Sequence, residues 1–367
     1  MTKNMRSGYT TGSCAAAGTK AVLLYLQKNI ISNSVSLNAL SGEKLSIPIK
    51  RLTPLAGGAC AEVIKDAGDD PDITNGVSIF TELHLNDTGN ISFFGGKGIG
   101  TITREGMSIP VGEPAINLGP RKMITNVIRE FLPENQGCDI TISIPAGVEL
   151  AKRTLNPVLG IKGGISVIGT SGIVRPMSEE GFKNSLTPQI DVAYAAGLFN
   201  QVFVPGKIGE NIAIKLGLPK QAIIQTSNFI GHMLDYAAQK KLKSVLLVGH
   251  LGKLVKVAAG NFHTHSKISD ARLETLAAYS ALLGMDQSGI KKIFSCVTTE
   301  AVMPIISDYK LDDKLYPLLC QRASFRSMQH VYNDLTVGTI MVTLKGTILG
   351  MDENAKKIGR ELHWNTK

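Results

Sequence analysis

Read for the spacing of its apolar positions, the chain divides into two stretches with different rhythms. The first opens on a polar, glycine-bearing loop, Ser7-Gly-Tyr-Thr-Thr-Gly-Ser13, and runs into 14–27, where Ala, Val and Leu dominate without proline or acid. Such a run is a helix, with Thr11 or Ser13 placed to cap its free N–H groups. Apolar, β-branched pieces at 35–40, 45–52, 62–65, 77–85 and 91–94, with a short partner at 101–103, predict strands. Asn86-Asp-Thr-Gly-Asn90 between two of them is a hairpin-type turn. The stretch 120–131 places Met123, Val127, Ile128 and Phe131 on one side of a helix. Leu132-Pro-Glu-Asn-Gln-Gly137 then breaks the pattern, which predicts an N-terminal α+β domain over 1–136 and a second domain over 137–367.

In the second stretch short apolar runs at 140–144, 165–168, 202–204, 223–225 and 245–248 alternate with helical ones at 189–198, 208–216, 229–240 and 271–283. That alternation predicts an α/β domain, a mostly parallel sheet with helices on both faces. Ligands of such sheets sit beyond the carboxyl ends of the strands. Two strand ends look alike there, Val202-Phe-Val-Pro-Gly-Lys-Ile-Gly209 and Leu246-Leu-Val-Gly-His-Leu-Gly252: each is a strand, a Gly-x-x-Gly turn and a helix.

Composition narrows the classes. A chain of 367 residues, 43% hydrophobic and 19% charged, has the length of about two domains and is not disordered. It lacks the roughly 18–20 consecutive apolar residues that span a bilayer, and its first residues show no apolar core of a secretory signal. Five cysteines without a Cys-x-x-Cys pair point to a reducing, cytoplasmic setting, with neither a disulfide framework nor a zinc site. The net charge of +9 is uneven: up to Gly137 there are 13 Lys/Arg and 12 Asp/Glu, against 26 and 18 in the remainder. Between Lys240 and Lys267 lie six lysines and no carboxylate, a patch suited to an anionic partner. Aromatic residues make up only 5%, which argues against stacking on single-stranded bases.

Several segments carry candidate chemistry. Gly95-Gly-Lys-Gly-Ile-Gly100 lies between strand-like pieces and opens no helix, so it is a hairpin or a substrate-contacting loop, not a dinucleotide fingerprint. Lys65-Asp-Ala-Gly-Asp-Asp-Pro-Asp72 packs four carboxylates, but the following glycine and the missing terminal Glu do not match a calcium loop. Gly163–Gly172 is expected to be a buried strand ending in a Gly-Thr-Ser-Gly turn whose N–H groups cradle an anion. Gly249-His-Leu-Gly-Lys-Leu-Val-Lys256 and Phe262-His-Thr-His-Ser-Lys267 bring together His250, Lys253, His263 and His265, a set better suited to anions than to a metal. Serine-hydrolase, P-loop and zincin motifs are absent. On these residues alone, a nucleotide-using α/β enzyme and a basic nucleic-acid-binding module both stay open.

The blocks taken together resemble a known family. Arg6-Ser-Gly-Tyr-Thr-Thr-Gly-Ser-Cys-Ala-Ala-Ala17 is similar to the opening signature of the CbiD family, the cobalt-precorrin-5B C(1)-methyltransferases of anaerobic cobalamin biosynthesis. Residues 65–74, 95–106, Pro114-Ala-Ile-Asn-Leu-Gly-Pro-Arg121, 155–166, 169–178 and 249–267 look like its further blocks, in the same order from residue 6 to about 350. Departures are small: Ser13 stands for Thr, Leu118-Gly119 interrupts an Asn-Pro, and Lys97 replaces an acidic residue.

The resemblance implies two α/β domains, the first similar to the ribosomal S5 domain-2 fold. It also implies methyl transfer from S-adenosylmethionine to C1 of a cobalt-bound tetrapyrrole. Cobalt then arrives only as part of the substrate, and neither nucleic acid nor membrane is a partner. The tetrapyrrole's carboxylates suit the basic second stretch. The residues assigned to substrate are Tyr9, Thr10, Thr11, Ser13, Gly95, Gly96, Gly98, Arg121 and Lys253. Gly169, Thr170, Ser171, Gly172, Gly206 and Gly209 are assigned to the cofactor, as turns at strand ends of the second domain. His250, His263 and His265 are the candidates for catalytic proton transfer, and no residue is assigned to a metal.

Overall fold

The computed structural model describes residues 5–364, and the chain forms two compact units that divide between Glu179 and Glu180. In the first, helix Thr11–Lys28 starts at Thr10, whose hydroxyl accepts the Ser13 N–H at 3.1 Å, and stops at Asn29 in the left-handed conformation. Its small residues Cys14–Ala17 are fully buried against strands Gly58–Ile64 and Ser78–Asn86. Short side chains let the helix lie close on the sheet, so van der Waals contact is gained at little cost in side-chain entropy. Helix Leu118–Arg129 packs beside it, burying Met123, Ile124, Val127 and Ile128.

The sheet beneath has five strands in the order Arg51–Leu55, Gly58–Ile64, Ser78–Asn86, Gly137–Ser143, Ile91–Gly95. All neighbours are antiparallel except the last pair, which is parallel. The strand expected at 45–52 is two: Lys44–Pro48 forms a separate hairpin with Ser34–Asn38, and Arg51–Leu55 joins the main sheet. Pro48 closes the first piece because it has no N–H to carry a ladder further.

Two corrections follow from this sheet. Strand Gly137–Ser143 is hydrogen-bonded on both sides, with Cys138, Ile140 and Ile142 in the core, so it belongs to the first unit. The turn at 132–137 therefore leads back into the sheet, and the boundary expected after residue 136 falls at Glu179/Glu180. The expected strand at 165–168 is no strand. Its apolar residues are held by single bridges, Ile165 to Ile99 and Val167 to Ile116, still within the first unit.

The second unit is α/β, with strand order Ile223–Gln225, Asn200–Val204, Ser244–His250, Thr336–Val342, Ile348–Met351. The first four are parallel and the last antiparallel. Val202, Val204, Leu246, Val248, Ile340 and Val342 pack on one side with Ile212 and Ile358, from helices Lys207–Lys215 and Glu353–Glu361. Helices Leu251–Ala258 and Asp312–His330 lie against the same strands, with Phe203, Val245 and Leu247 alternating to the opposite side. The helices predicted at 189–198, 208–216, 229–240 and 271–283 stand at Pro188–Ala195, Lys207–Lys215, Ile230–Gln239 and Arg272–Leu282. Among the described residues no helix is long and apolar enough to cross a membrane.

From Asn200–Val204 the chain moves outward to Ile223–Gln225, then crosses back to Ser244–His250 on the other side. The order thus reverses between Asn200–Val204 and Ser244–His250, the place in such sheets beyond whose carboxyl ends ligands bind.

Candidate active site

The turns after those two strands lie side by side at this reversal. A Cβ on Gly249 would stand 3.0 Å from the Pro205 ring, so the two turns touch and only glycine fits without a shift. Gly206 begins helix Lys207–Lys215 at φ 88°, and nothing lies within 4 Å of where its Cβ would be. Gly209 faces inward instead, its Cβ site 3.1 Å from Val204 Cβ. Of the two glycines of this turn expected to meet a cofactor, Gly206 borders open space and Gly209 lets the helix lie close on the strand.

His250 ends its strand and caps helix Leu251–Ala258. Its Nδ1 accepts the Gly252 N–H at 3.1 Å, and its Nε2 meets the Glu300 carboxylate at the start of helix Thr299–Asp308. With Nδ1 used as an acceptor, the proton sits on Nε2 and is held by Glu300. Both ring nitrogens are thereby committed, which makes His250 a residue that orients the turn. Glu300 was not visible as a partner in the sequence because it lies 50 residues downstream.

One helical turn further, two lysines converge. Lys253 Nζ donates to Asn228 Oδ1 and to the Thr264 carbonyl at 3.4 Å. Lys256, only 3% exposed, donates to the same carbonyl at 3.2 Å and to the Ser269 carbonyl at 2.7 Å. Neither ammonium forms an ion pair among the described residues. Burial lowers the Lys253 ammonium below the ordinary lysine range, and the charge on Lys256 lowers it further. Burial also lowers Lys256, partly offset by Asp270, which Arg272 holds at about 2. Two desolvated cations facing one carbonyl make a site for an anion.

The histidines complete the rim. His263 packs edge-on to Phe229 with ring centroids 5.0 Å apart, and its ring lies 6.5 Å from that of His265. His265 Nδ1 accepts the Lys267 N–H at 3.1 Å. Buried Thr264 between them supplies the shared carbonyl and reaches Asn228 Oδ1 with its hydroxyl at 3.4 Å. Asn228 and Thr264 were not singled out from the sequence. Their only signal is position, in the polar run after one strand and between two histidines. Among the described residues no group of three or more His, Cys, Asp or Glu is arranged to hold a metal ion.

The remaining expected site residues lie in the first unit, including 169–172, which were expected at strand ends of the second. Thr10 and Ser13 are buried: Thr10 caps the helix, and the Ser13 hydroxyl donates to the Gly172 carbonyl. Thr11 Oγ1 donates to the Ile168 carbonyl at 3.1 Å and accepts the Ile168 N–H at 2.9 Å. Tyr9 donates to the Ser46 carbonyl, and Ser171 bonds both the N–H and the carbonyl of Ile173. Thr170 is exposed, and a Cβ on Gly169 would collide with Thr10 Oγ1 at 2.3 Å. The glycine turn and the helix start thus satisfy each other.

Arg121 donates to Glu113 and to the Ile116 carbonyl, with its guanidinium over the Phe93 ring. Gly95 borders Pro114, while Cβ atoms on Gly96 and Gly98 would strike Ser143 Oγ at 2.0 Å and the Ile144 carbonyl at 1.9 Å. That glycine loop is packed backbone on backbone. The carboxylate-rich turn is likewise internal: Asp66 and Asp69 hold Arg6, Asp70 accepts the Met177 N–H, and Asp72 pairs with the buried ammonium of Lys65 at 2.5 Å.

Comparison with known proteins bears on both units. A family model described as CbiD matches residues 1–176, and one described as CbiD, C-terminal domain, matches residues 263–353. The cobalt-precorrin-5B C(1)-methyltransferase of Moorella thermoacetica is 47% identical over 98% of this chain and 98% of its own. The proteins of the same name from Desulfitobacterium hafniense and Methanocaldococcus jannaschii are 44% and 45% identical, over 98% and 95% of this chain and 93% and 96% of theirs. A solved structure of a cobalamin biosynthesis protein (cbiD) from Archaeoglobus fulgidus is 26% identical, covering 74% of this chain and 84% of its own, with a TM-score of 0.38.

Proposed function

The chain belongs to the CbiD family, and from that membership we propose that it methylates C1 of cobalt-precorrin-5B, giving cobalt-precorrin-6A on the anaerobic route to cobalamin. Near-full-length identity of 47% to a protein named for this reaction carries the reading. The strand-order reversal of the second unit suits it chemically. A tetrapyrrole bearing several carboxylates is a polyanion, and Lys253 and Lys256 are two desolvated cations, neither in an ion pair among the described residues. Cobalt enters within the substrate.

S-adenosylmethionine is the methyl donor in this proposal; when bound, it supplies an electrophilic methyl on a sulfonium. Gly206, with open space over its turn at the strand-order reversal, fits such a group. The 169–172 turn does not, since Thr10 and Ser13 fill it. The chain's own work is to hold and to exclude water. Lys253 binds a substrate carboxylate, with Asn228 and Thr264 fixing its ammonium. His250 and Glu300 fix the turn from which Lys253 projects. His263 and His265 stand at the same rim, where an imidazole can take up a proton released as the ring system rearranges. Alignment and desolvation dominate, because a displacement at a sulfonium methyl needs no protein nucleophile.

Incubation with S-adenosylmethionine and cobalt-precorrin-5B, followed by mass spectrometry, tests the proposal. One added methyl on the tetrapyrrole is expected, and an unchanged substrate mass would refute it.

A further inference from the structure

A buried carboxylate at the same strand-order reversal has no part in the account above. Glu210 lies in the first turn of helix Lys207–Lys215 and is 8% exposed. Its Oε2 accepts from Lys207 Nζ at 2.8 Å and from Gln225 Nε2 at 2.6 Å. Oε1 takes no bond from any described residue. Gln225 is itself fixed: its N–H donates to Gln189 Oε1 at 3.1 Å, and Gln189 Nε2 returns to the Gln225 carbonyl at 3.3 Å. The carboxylate is therefore aimed by a chain of amides anchored at the end of strand Ile223–Gln225, while the next helical positions inward, Ile212 and Ala213, are apolar core.

Burying a charged carboxylate is costly, and an apolar side chain would close this turn without that cost. Holding it by two donors on one oxygen leaves the other oxygen as a positioned acceptor. We propose that Glu210 accepts hydrogen bonds from the ribose hydroxyls of the adenosyl cofactor, at the turn that Gly206 leaves open; this rests on the cofactor reading above. Charge selects the donor. The Lys207 ammonium already offsets the carboxylate, so a second cation, such as the amino group of the methionyl moiety, gains little there. A neutral hydroxyl gains a charge-assisted hydrogen bond at no electrostatic penalty.

Calorimetry on the full chain tests this with S-adenosylhomocysteine and its 2′-deoxy and 3′-deoxy ribose analogues. Wild type should bind the parent at least roughly tenfold more tightly than one of the analogues, the size of one hydrogen bond to a charged group. Glu210→Gln should weaken the parent by a similar factor, leave that analogue within about threefold, and so abolish the discrimination. Melting curves establish that the variant is folded; if it is not, Glu210→Asp, which keeps the charge but withdraws the oxygen, should lose the discrimination in its place. Equal weakening of parent and analogues, or unchanged discrimination, overturns the assignment while the cofactor reading stands. Wild type that binds no S-adenosylhomocysteine, with or without substrate, overturns both.

Discussion

Replacing Lys253 by Ala perturbs the anion site where its cost can be worked out. The Lys253 and Lys256 ammoniums share the Thr264 carbonyl at 3.4 and 3.2 Å, so they are at most about 6.6 Å apart. At an effective dielectric near 20, like charges at that distance repel by about 2.5 kcal/mol. A substrate carboxylate relieves that repulsion and gains a charge-assisted bond of about 1.5–3 kcal/mol. Lys253→Ala should therefore lower kcat/KM about 10- to 150-fold, almost wholly through KM, in a steady-state methyl-transfer assay.

The pH profile sharpens the test. Lys253 is held below the ordinary lysine value by burial and by Lys256, so kcat/KM should fall on an alkaline limb that begins below pH 10.5. Lys256→Met removes the like charge and should move that limb upward. Fold stability runs the opposite way. Between the folded and unfolded pKa of Lys253 the unfolded chain binds more protons, so this residue's contribution to stability rises with pH across that window. A kcat/KM of Lys253→Ala within twofold of wild type, or a limb unmoved by Lys256→Met, would refute the carboxylate role.

Three further outcomes follow from the geometry. Asp72→Asn strips the counter-charge from Lys65, whose side chain is 1% exposed, and should cost about 3 kcal/mol by urea denaturation, the low end for a buried pair because Asp72 is 26% exposed. Burial pushes the Asp72 carboxyl up, but Lys65 and Thr74 together hold it below its ordinary value. Its contribution is thus complete above the unfolded pKa near 3.9 and is lost as pH falls through the lower folded one, which acid titration of the variant against wild type will read. Thr10→Val removes the cap of helix Thr11–Lys28 and should cost about 0.5–2 kcal/mol in thermal melting, with KM within twofold. His250→Asn keeps a capping side chain but loses Glu300, so the pH profile of kcat near neutrality should keep its shape; a vanished acidic limb would make His250 a proton carrier after all.

The local patterns in the sequence and the long-range contacts were not equally legible. Helix 14–27 and the strand ending at Val204 stand where spacing puts them, and the strand expected at 245–248 is there and runs on to His250. Each depends on residues close together in the chain. The glycine blocks are less legible, because glycine marks close approach without saying what approaches. At Gly98 it is the Ile144 carbonyl, and at Gly169 it is Thr10; at Gly206 it is open space. Spacing cannot separate these cases. The domain boundary is hidden in the sequence for a related reason. Strand Gly137–Ser143 follows a turn rich in breakers, and only its pairing with Ser78–Asn86 and Ile91–Gly95 shows that it closes the first sheet. Beyond residue 283 no element was predicted, so Glu300 and strand Thr336–Val342 entered only with the structure.

That last strand has a consequence for how the protein is made. Ser244–His250 is a parallel strand, buried and apolar from Val245 to Val248, that needs a neighbour on each side, and one of them, Thr336–Val342, is translated about 90 residues later. At roughly 5–20 residues per second, the ribosome leaves this edge uncovered for on the order of ten seconds. An uncovered apolar edge is a template for pairing with another chain. Products that stop short of Thr336 should therefore collect as insoluble material, and expression of the intact chain should improve when elongation is unhurried and holdase chaperones are abundant.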